Sequence, residues 1–314
     1  MLPLMYPDAD TRDALLADPA SAPIPPLHRE AFAFAERFVR NAWTTSAEDL
    51  EQLRQAGLSD RDIVQWATLG STQSWFTMSA DGGGIPLDGD ATTGPGVGRV
   101  REAYEAAPGG LLAAKNASSP SANAAGTDAI AFVSTDENNT GYRKAADWAE
   151  RRYGFVPNLL RAVSLRPSFY PRHLLALELL EAPQSKNLSA RQHAMVRVIV
   201  SRLARGRYSE RTASTLLKRV SGGNELAERL EREPLDLDWD PQDRAVLMLA
   251  TKFASNAYKV TEKDAIGIRE VGLDDEAYVD ILNTVSIQTA LDRLANVLGV
   301  AADSRPLLPD FPAQ

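Results

Sequence analysis

The sequence contains no cysteine. That one absence excludes disulfides, thiolate metal sites, cysteine nucleophiles and dithiol redox chemistry together. Histidine is almost missing too: 314 residues hold only His28, His173 and His193. None stands three or four positions from another ligand-type residue, so no zinc or iron site is expected, and no cofactor. No apolar run is long enough to span a membrane. The start, MLPLMYPDADTRD, lacks the charged and apolar regions of a secretory signal, which points to the cytoplasm. Basic runs are also lacking. The net charge is −8, so neither nucleic acid nor an anionic membrane is an expected partner.

What is present reads as helix. Segment 29–85 aligns without gaps on 244–300. Phe38, Asn41 and Ala42 match Phe253, Asn256 and Ala257. Arg54, Gly57, Leu58 and Asp60 match Arg269, Gly272, Leu273 and Asp275, and Ser71 and Gln73 match Ser286 and Gln288. About a quarter of the pairs are identical, which implies one structural unit used twice. The unit reads as three helices. The first ends near Asn41, and AFAFAERFV gives it apolar positions at helical spacing. Thr45 with Glu48, and Thr261 with Asp264, fit a capping box for the second. Gly57 and Gly272 suit the turn that ends it. Asp60 and Asp275 open the third.

Residues 81–127 are rich in Gly, Ala, Ser and Pro and read as a linker, with one short helix near Val100–Ala107. This gives three parts: 1–80, the linker 81–127, and a helical domain over 128–314. The spacing predicts helices over Tyr142–Tyr153, Leu159–Ser164, Pro167–Glu181, Ser189–Arg205 and Ser209–Val220. AMVRVIVSRLA (Ala194–Ala204) is apolar almost all round and is the expected buried central helix. AIAFV (Ala129–Val133) is β-like but isolated, so the fold class is all-α.

Three segments in order carry a family resemblance. They are YGFVPNLLRAVSLRP (Tyr153–Pro167), LSARQHAMVRVIVSRLARGRYSERTASTLL (Leu188–Leu217) and RAVLMLATKFASNAYKVTEKDAIGIREVGLDDEAYVDIL (Arg244–Leu282). Together they resemble the AhpD-like, carboxymuconolactone decarboxylase superfamily, in its peroxidase-related branch. The likeness covers about 130–305. It implies an all-helical, homo-oligomeric protein with a C-x-x-C-x-x-x-H redox site. Here Gly206 and Ser209 fall on the two cysteines, Ala213 on the histidine, and Ala194 on the usual acidic residue beside His193. Thiol peroxidase activity is therefore not expected: a serine without a neighbouring base cannot replace an activated thiolate.

Two readings stay open. In the first, the site is re-equipped as a cofactor-independent enzyme of lyase, decarboxylase or isomerase type, acting on a small organic acid or natural-product intermediate. Arg207 at a helix N-terminus would suit an anionic group, and Glu210 or His193 would serve as acid or base, with Tyr208 and Ser209 beside them. In the second, the chain is a non-catalytic binding or scaffolding homologue, and these residues only cap and solvate a helix. The acidic run Asp236, Asp238, Asp240 and Asp243 lacks the glycine and terminal glutamate of a calcium loop. Trp66, Trp75 and Phe76 suit a core or a partner surface, with core packing the default at helical spacing.

Overall fold

The computed structural model describes residues 6, 8–19, 21–85, 130–232 and 239–308. The expected helix at Val100–Ala107 and nearly all of the expected linker lie outside these. Thirteen α-helices are present among the described residues, and no strand. In chain order they are α1 (Ala9–Ala17), α2 (Pro26–Asn41), α3 (Ala47–Gln55), α4 (Asp60–Gly82), α5 (Thr140–Tyr153), α6 (Asn158–Ala162) and α7 (Tyr170–Leu179). Then follow α8 (Ala190–Leu203), α9 (Glu210–Ser221), α10 (Glu225–Arg232), α11 (Pro241–Asn256), α12 (Glu262–Glu270) and α13 (Asp275–Val297). Helix α4 runs on through Gly82, past the expected end of the N-terminal unit at residue 80.

The bounds of α2, α3 and α4 recur, at the constant offset of the sequence alignment, as those of α11, α12 and α13. Local chemistry recurs with them. Arg54 Nε lies 2.7 Å from Asp60, and Arg269 Nε lies 2.6 Å from Asp275. Gly57 and Gly272 both take left-handed backbone, with φ of 106° and 85°. A side chain at either position would strain that turn. One expected cap is corrected. Ser46 and Asp49 form the box that opens α3, not Thr45 and Glu48. The Thr45 N–H is already spent on the Ala42 carbonyl in the preceding 3₁₀ turn, so the helix starts one residue later. Pro157 sits at the N-cap of α6.

Helix α8 is the centre, as its sequence predicts. Every residue from Gln192 to Ser201 is buried, and Ser189 with Gln192 closes its start as a capping box. Helices α9, α11 and α13 pack around it. Helix α4 packs on the far side of α13. Partner numbers fall as α4 is climbed, so the two run antiparallel: the Ser71 hydroxyl meets the Ala290 carbonyl at 2.9 Å, and Gly82 O accepts from Tyr278 at 2.8 Å. Gly82 also packs against α11, where a Cβ would stand 2.5 Å from the Phe253 ring.

The β-like segment near residue 130 is neither strand nor free. Phe132 N–H donates to the Leu298 carbonyl at 2.7 Å, and Ala301 N–H to the Ile130 carbonyl at 2.8 Å. On its other side, Arg54 reaches the Phe132 carbonyl at 2.7 Å, and Asp60 accepts from the Ser134 N–H at 2.7 Å. The N-terminal helices are thus tied to the end of α13 through a segment that makes no sheet. A single apolar cluster joins Phe38, Leu50 and Ile63 to Leu160, Leu294 and Leu298.

This shared cluster predicts that the two ends of the chain stay together after cleavage. A protease site inserted between residues 86 and 129 and then cut should leave both pieces in one gel-filtration peak. Two separate peaks under native conditions would show that the shared core does not hold them.

Candidate functional site

The turn from α8 into α9 is where the family resemblance aligns its redox motif. Arg205 has φ of 49°, the one positive value among described non-glycine residues. Gly206 follows, its N–H bonded to Ser201 O at 2.7 Å. Ser209 stands at the N-cap of α9, but its hydroxyl does not cap the helix. Instead it bonds to the Asp292 carboxylate and lies 3.0 Å from the Ser201 hydroxyl.

Asp292 comes from α13 and is fully buried. Gln288 Nε2 donates to its other oxygen at 3.2 Å, and Arg197 Nε donates to Gln288 Oε1 at 3.0 Å. Arg197 also reaches the Leu180 carbonyl at 2.5 Å. Ser201, Ser209, Asp292, Gln288 and Arg197 therefore form one buried chain of hydrogen bonds. Burial pushes the Asp292 carboxyl up to about 6, against the hydrogen bonds from Ser209 and Gln288 and the nearby Arg197 charge. Burial also lowers Arg197 to about 10.

Gly206 is required by this arrangement. A Cβ there would collide with the Asp292 carboxyl group. The two positions aligned with the family's cysteines thus contact the same carboxylate. Ala194 and Ala213, aligned with its acid and histidine, are wholly buried in the core.

The sequence-proposed residues do not form one site. Arg207 and Glu210 are exposed. They line a small depression of about 300 Å³ with Trp43, Ser201, Arg202 and Arg205. The Arg205 guanidinium covers the Trp43 ring at 3.7 Å. Tyr208 points elsewhere: it is buried and donates to Asp303 at 2.6 Å. Its hydroxyl is driven well above the ordinary value by burial and by Asp303. His193 is wholly buried in α8, with neither ring nitrogen hydrogen-bonded. Burial, with Arg197 nearby, lowers it to about 3. It precedes Ser201 by about two turns of α8, roughly 12 Å along the helix, too far to act on Ser209.

Sequence reasoning missed Asp292, Gln288 and Arg197. One signal was available: over 281–297 the only charged residues are Asp292 and Arg293, with Gln288 one turn before them. Of the acidic run, Asp240 caps α11 and Asp243 pairs with Arg191. Asp236 and Asp238 lie outside the described residues. Among the described residues, no three His, Asp or Glu side chains gather as a metal site. No helix there is long and apolar enough to cross a membrane.

No family model and no curated protein matches this chain. Solved structures do. An uncharacterized peroxidase-related protein from Silicibacter sp. is 21% identical, with a TM-score of 0.48 over 54% of this chain and 88% of that one. An alkylhydroperoxidase AhpD core, an uncharacterized peroxidase-related protein from Ralstonia eutropha, is 22% identical, with a TM-score of 0.50 over 56% of this chain and 94% of that one. The second likeness shows that the chain contains the AhpD-type helical fold. The rest of the chain lies outside it.

Two substitutions probe the buried carboxylate. Gly206→Ala should destabilise the protein by about 1–3 kcal/mol through overpacking, and less when Asp292→Ala is also present. Additive losses in urea unfolding would show that the two positions do not touch.

The second is a pH dependence. Asp292 moves from 3.8 unfolded to about 6 folded, so between those values folding takes up a proton. Its contribution to stability is therefore full below pH 4 and is lost as pH rises to 6, by on the order of 3 kcal/mol. Asp292→Asn should change urea stability relative to wild type most steeply across that window. A difference independent of pH would mean that Asp292 has ordinary acidity.

Proposed function

We propose that this protein is a thiol-free binding homologue built on the AhpD-type fold, without thiol peroxidase activity. One observation carries the reading. Ser209 and Gly206, at the aligned cysteine positions, are both engaged with Asp292, and among the described residues the serine hydroxyl's other partners are Ser201 and the Gly206 carbonyl. A hydroxyl bound to a buried carboxylate in a fixed network is held, not poised to attack an entering peroxide. Arg207, Glu210, Tyr208 and His193 do not converge on it, which removes the geometry that acid–base work requires. The recurrence of the helix bounds of α2–α4 in α11–α13 supports duplication of one three-helix unit as the origin of the N-terminal extension. The proposal includes homo-oligomerisation and a cytoplasmic setting. Exposed Met248 on α11 and Val279 on α13 offer apolar surface for self-association.

A second reading has its own observation. Asp292, at about 6, lies one serine beneath the depression that Arg202, Arg205 and Arg207 line. A small organic acid held by those guanidiniums would place its reacting atoms over Ser201 and Ser209, with Asp292 as the proton store.

A peroxide assay tests the first reading. Hydrogen peroxide and cumene hydroperoxide, supplied with a dithiol reductant, should be consumed no faster than in a protein-free blank. Turnover above the blank would overturn it. Turnover of a small organic acid that Asp292→Asn abolishes would replace it with the second.

A further inference from the structure

A large cavity lies away from the α8–α9 turn. It is a cleft of about 660 Å³ between α2 and α4 on one side and the end of α11 on the other. Phe34, Phe38, Trp66, Met78 and Phe253 make its walls strongly apolar. Such a volume and lining suit an apolar small molecule.

Among the described residues that line the cleft, one is charged, Arg293 on α13. Arg293 is half-buried. Its Nη1 donates to Ser74 Oγ at 2.5 Å, and no described carboxylate pairs with it. Burial lowers its affinity for its own proton, and nothing nearby offsets this. A guanidinium withdrawn from water without an anion is costly. Arg293 also borders an adjoining cavity of about 430 Å³, which shares Val39, Ala254 and Ser255 with the cleft. That cavity is lined by Thr289, which is 3% exposed and whose hydroxyl has no partner. Its other cation, Arg40, is exposed and faces Glu36 at 3.4 Å. In the N-terminal copy of the unit, the position equivalent to Arg293 holds Met78, on the wall of the same cleft. The charge therefore belongs to the C-terminal helix alone.

We propose that this cleft binds an apolar monocarboxylate, such as a medium-chain fatty acid, with its carboxylate on Arg293 and Thr289 and its chain along Phe34, Phe38 and Trp66. The carboxylate supplies the anion that Arg293 lacks and the acceptor that the Thr289 hydroxyl lacks. The chain covers apolar wall that is otherwise wet. Exposed Val39, Leu69 and Tyr258 line the cleft and offer a path in from solvent. The inference rests on the binding reading above and names its ligand class.

The test is a titration of the full-length protein with decanoate, decanol and acetate, followed by calorimetry and by tryptophan emission, with Trp66→Phe identifying the share that comes from the cleft. Decanoate should bind saturably, and decanol and acetate at least about tenfold more weakly. Arg293→Met should weaken decanoate about tenfold or more, leave decanol unchanged, and not lower the melting temperature of the free protein. Thr289→Val should weaken decanoate in the same direction by less. Equal affinity for decanoate and decanol would overturn the proposal, and so would a loss of melting temperature in Arg293→Met with decanoate affinity unchanged. Absence of decanoate binding together with a dimer that Leu69→Glu dissociates would assign the cleft to a second copy of the chain instead. Failure to bind decanoate while hydroperoxide stays unconsumed sinks this inference alone. Consumption of hydroperoxide sinks the reading beneath it.

Discussion

The middle of helix α13 does not face water. From Thr284 to Asp292 every residue is buried, all the way round the helix. A surface helix hides one stripe; one that hides every side needs a layer on each flank. Helices α8 and α11 cover one flank and α4 covers the other. The N-terminal helices are therefore part of the core and not an appendage to it. The latch formed by Arg54, Asp60 and residues 132–134 closes the same seam.

Burial on all sides also sets the polar chemistry. Helix α13 carries Ser286, Gln288, Thr289 and Asp292 into a dry interior and Arg293 to its edge, and each needs a partner there. Ser286 finds Ser79, Gln288 finds Arg197, and Asp292 finds Ser209. Thr289 finds none and Arg293 finds only a hydroxyl. The satisfied pair of Gln288 and Asp292 sits at the α8–α9 turn, where the family likeness directs attention to chemistry. The unsatisfied pair sits at the cleft, where it does not. Stability and ligand recognition thus draw on one helix at two different places.

Much of the fold was legible in the residues. The apolar run at Ala194–Ala204, the turn glycines and the alignment of 29–85 on 244–300 located α8, α3 and α12 within a few positions. Helix α1 was not anticipated, and its sequence, ADTRDALLA, has no apolar stripe to show it. The site was less legible, because sequence alignment reports residue types and not where their atoms end. Tyr208 and Ser209 are neighbours in sequence, yet they reach Asp303 in the tail and Asp292 in α13. His193 looked available only because burial cannot be read one residue at a time. Asp292 lies 83 positions from Ser209, and no local pattern connects them.

The seam between α4 and α13 has a consequence for dilution. When two helices from separate chains meet, the surface between them exists only above the concentration at which the chains associate. Here a single polypeptide carries both, so each meets the other at the high local concentration that covalent linkage sets. The cleft along their edge therefore persists in a lone molecule. Its shape does not wait on self-association.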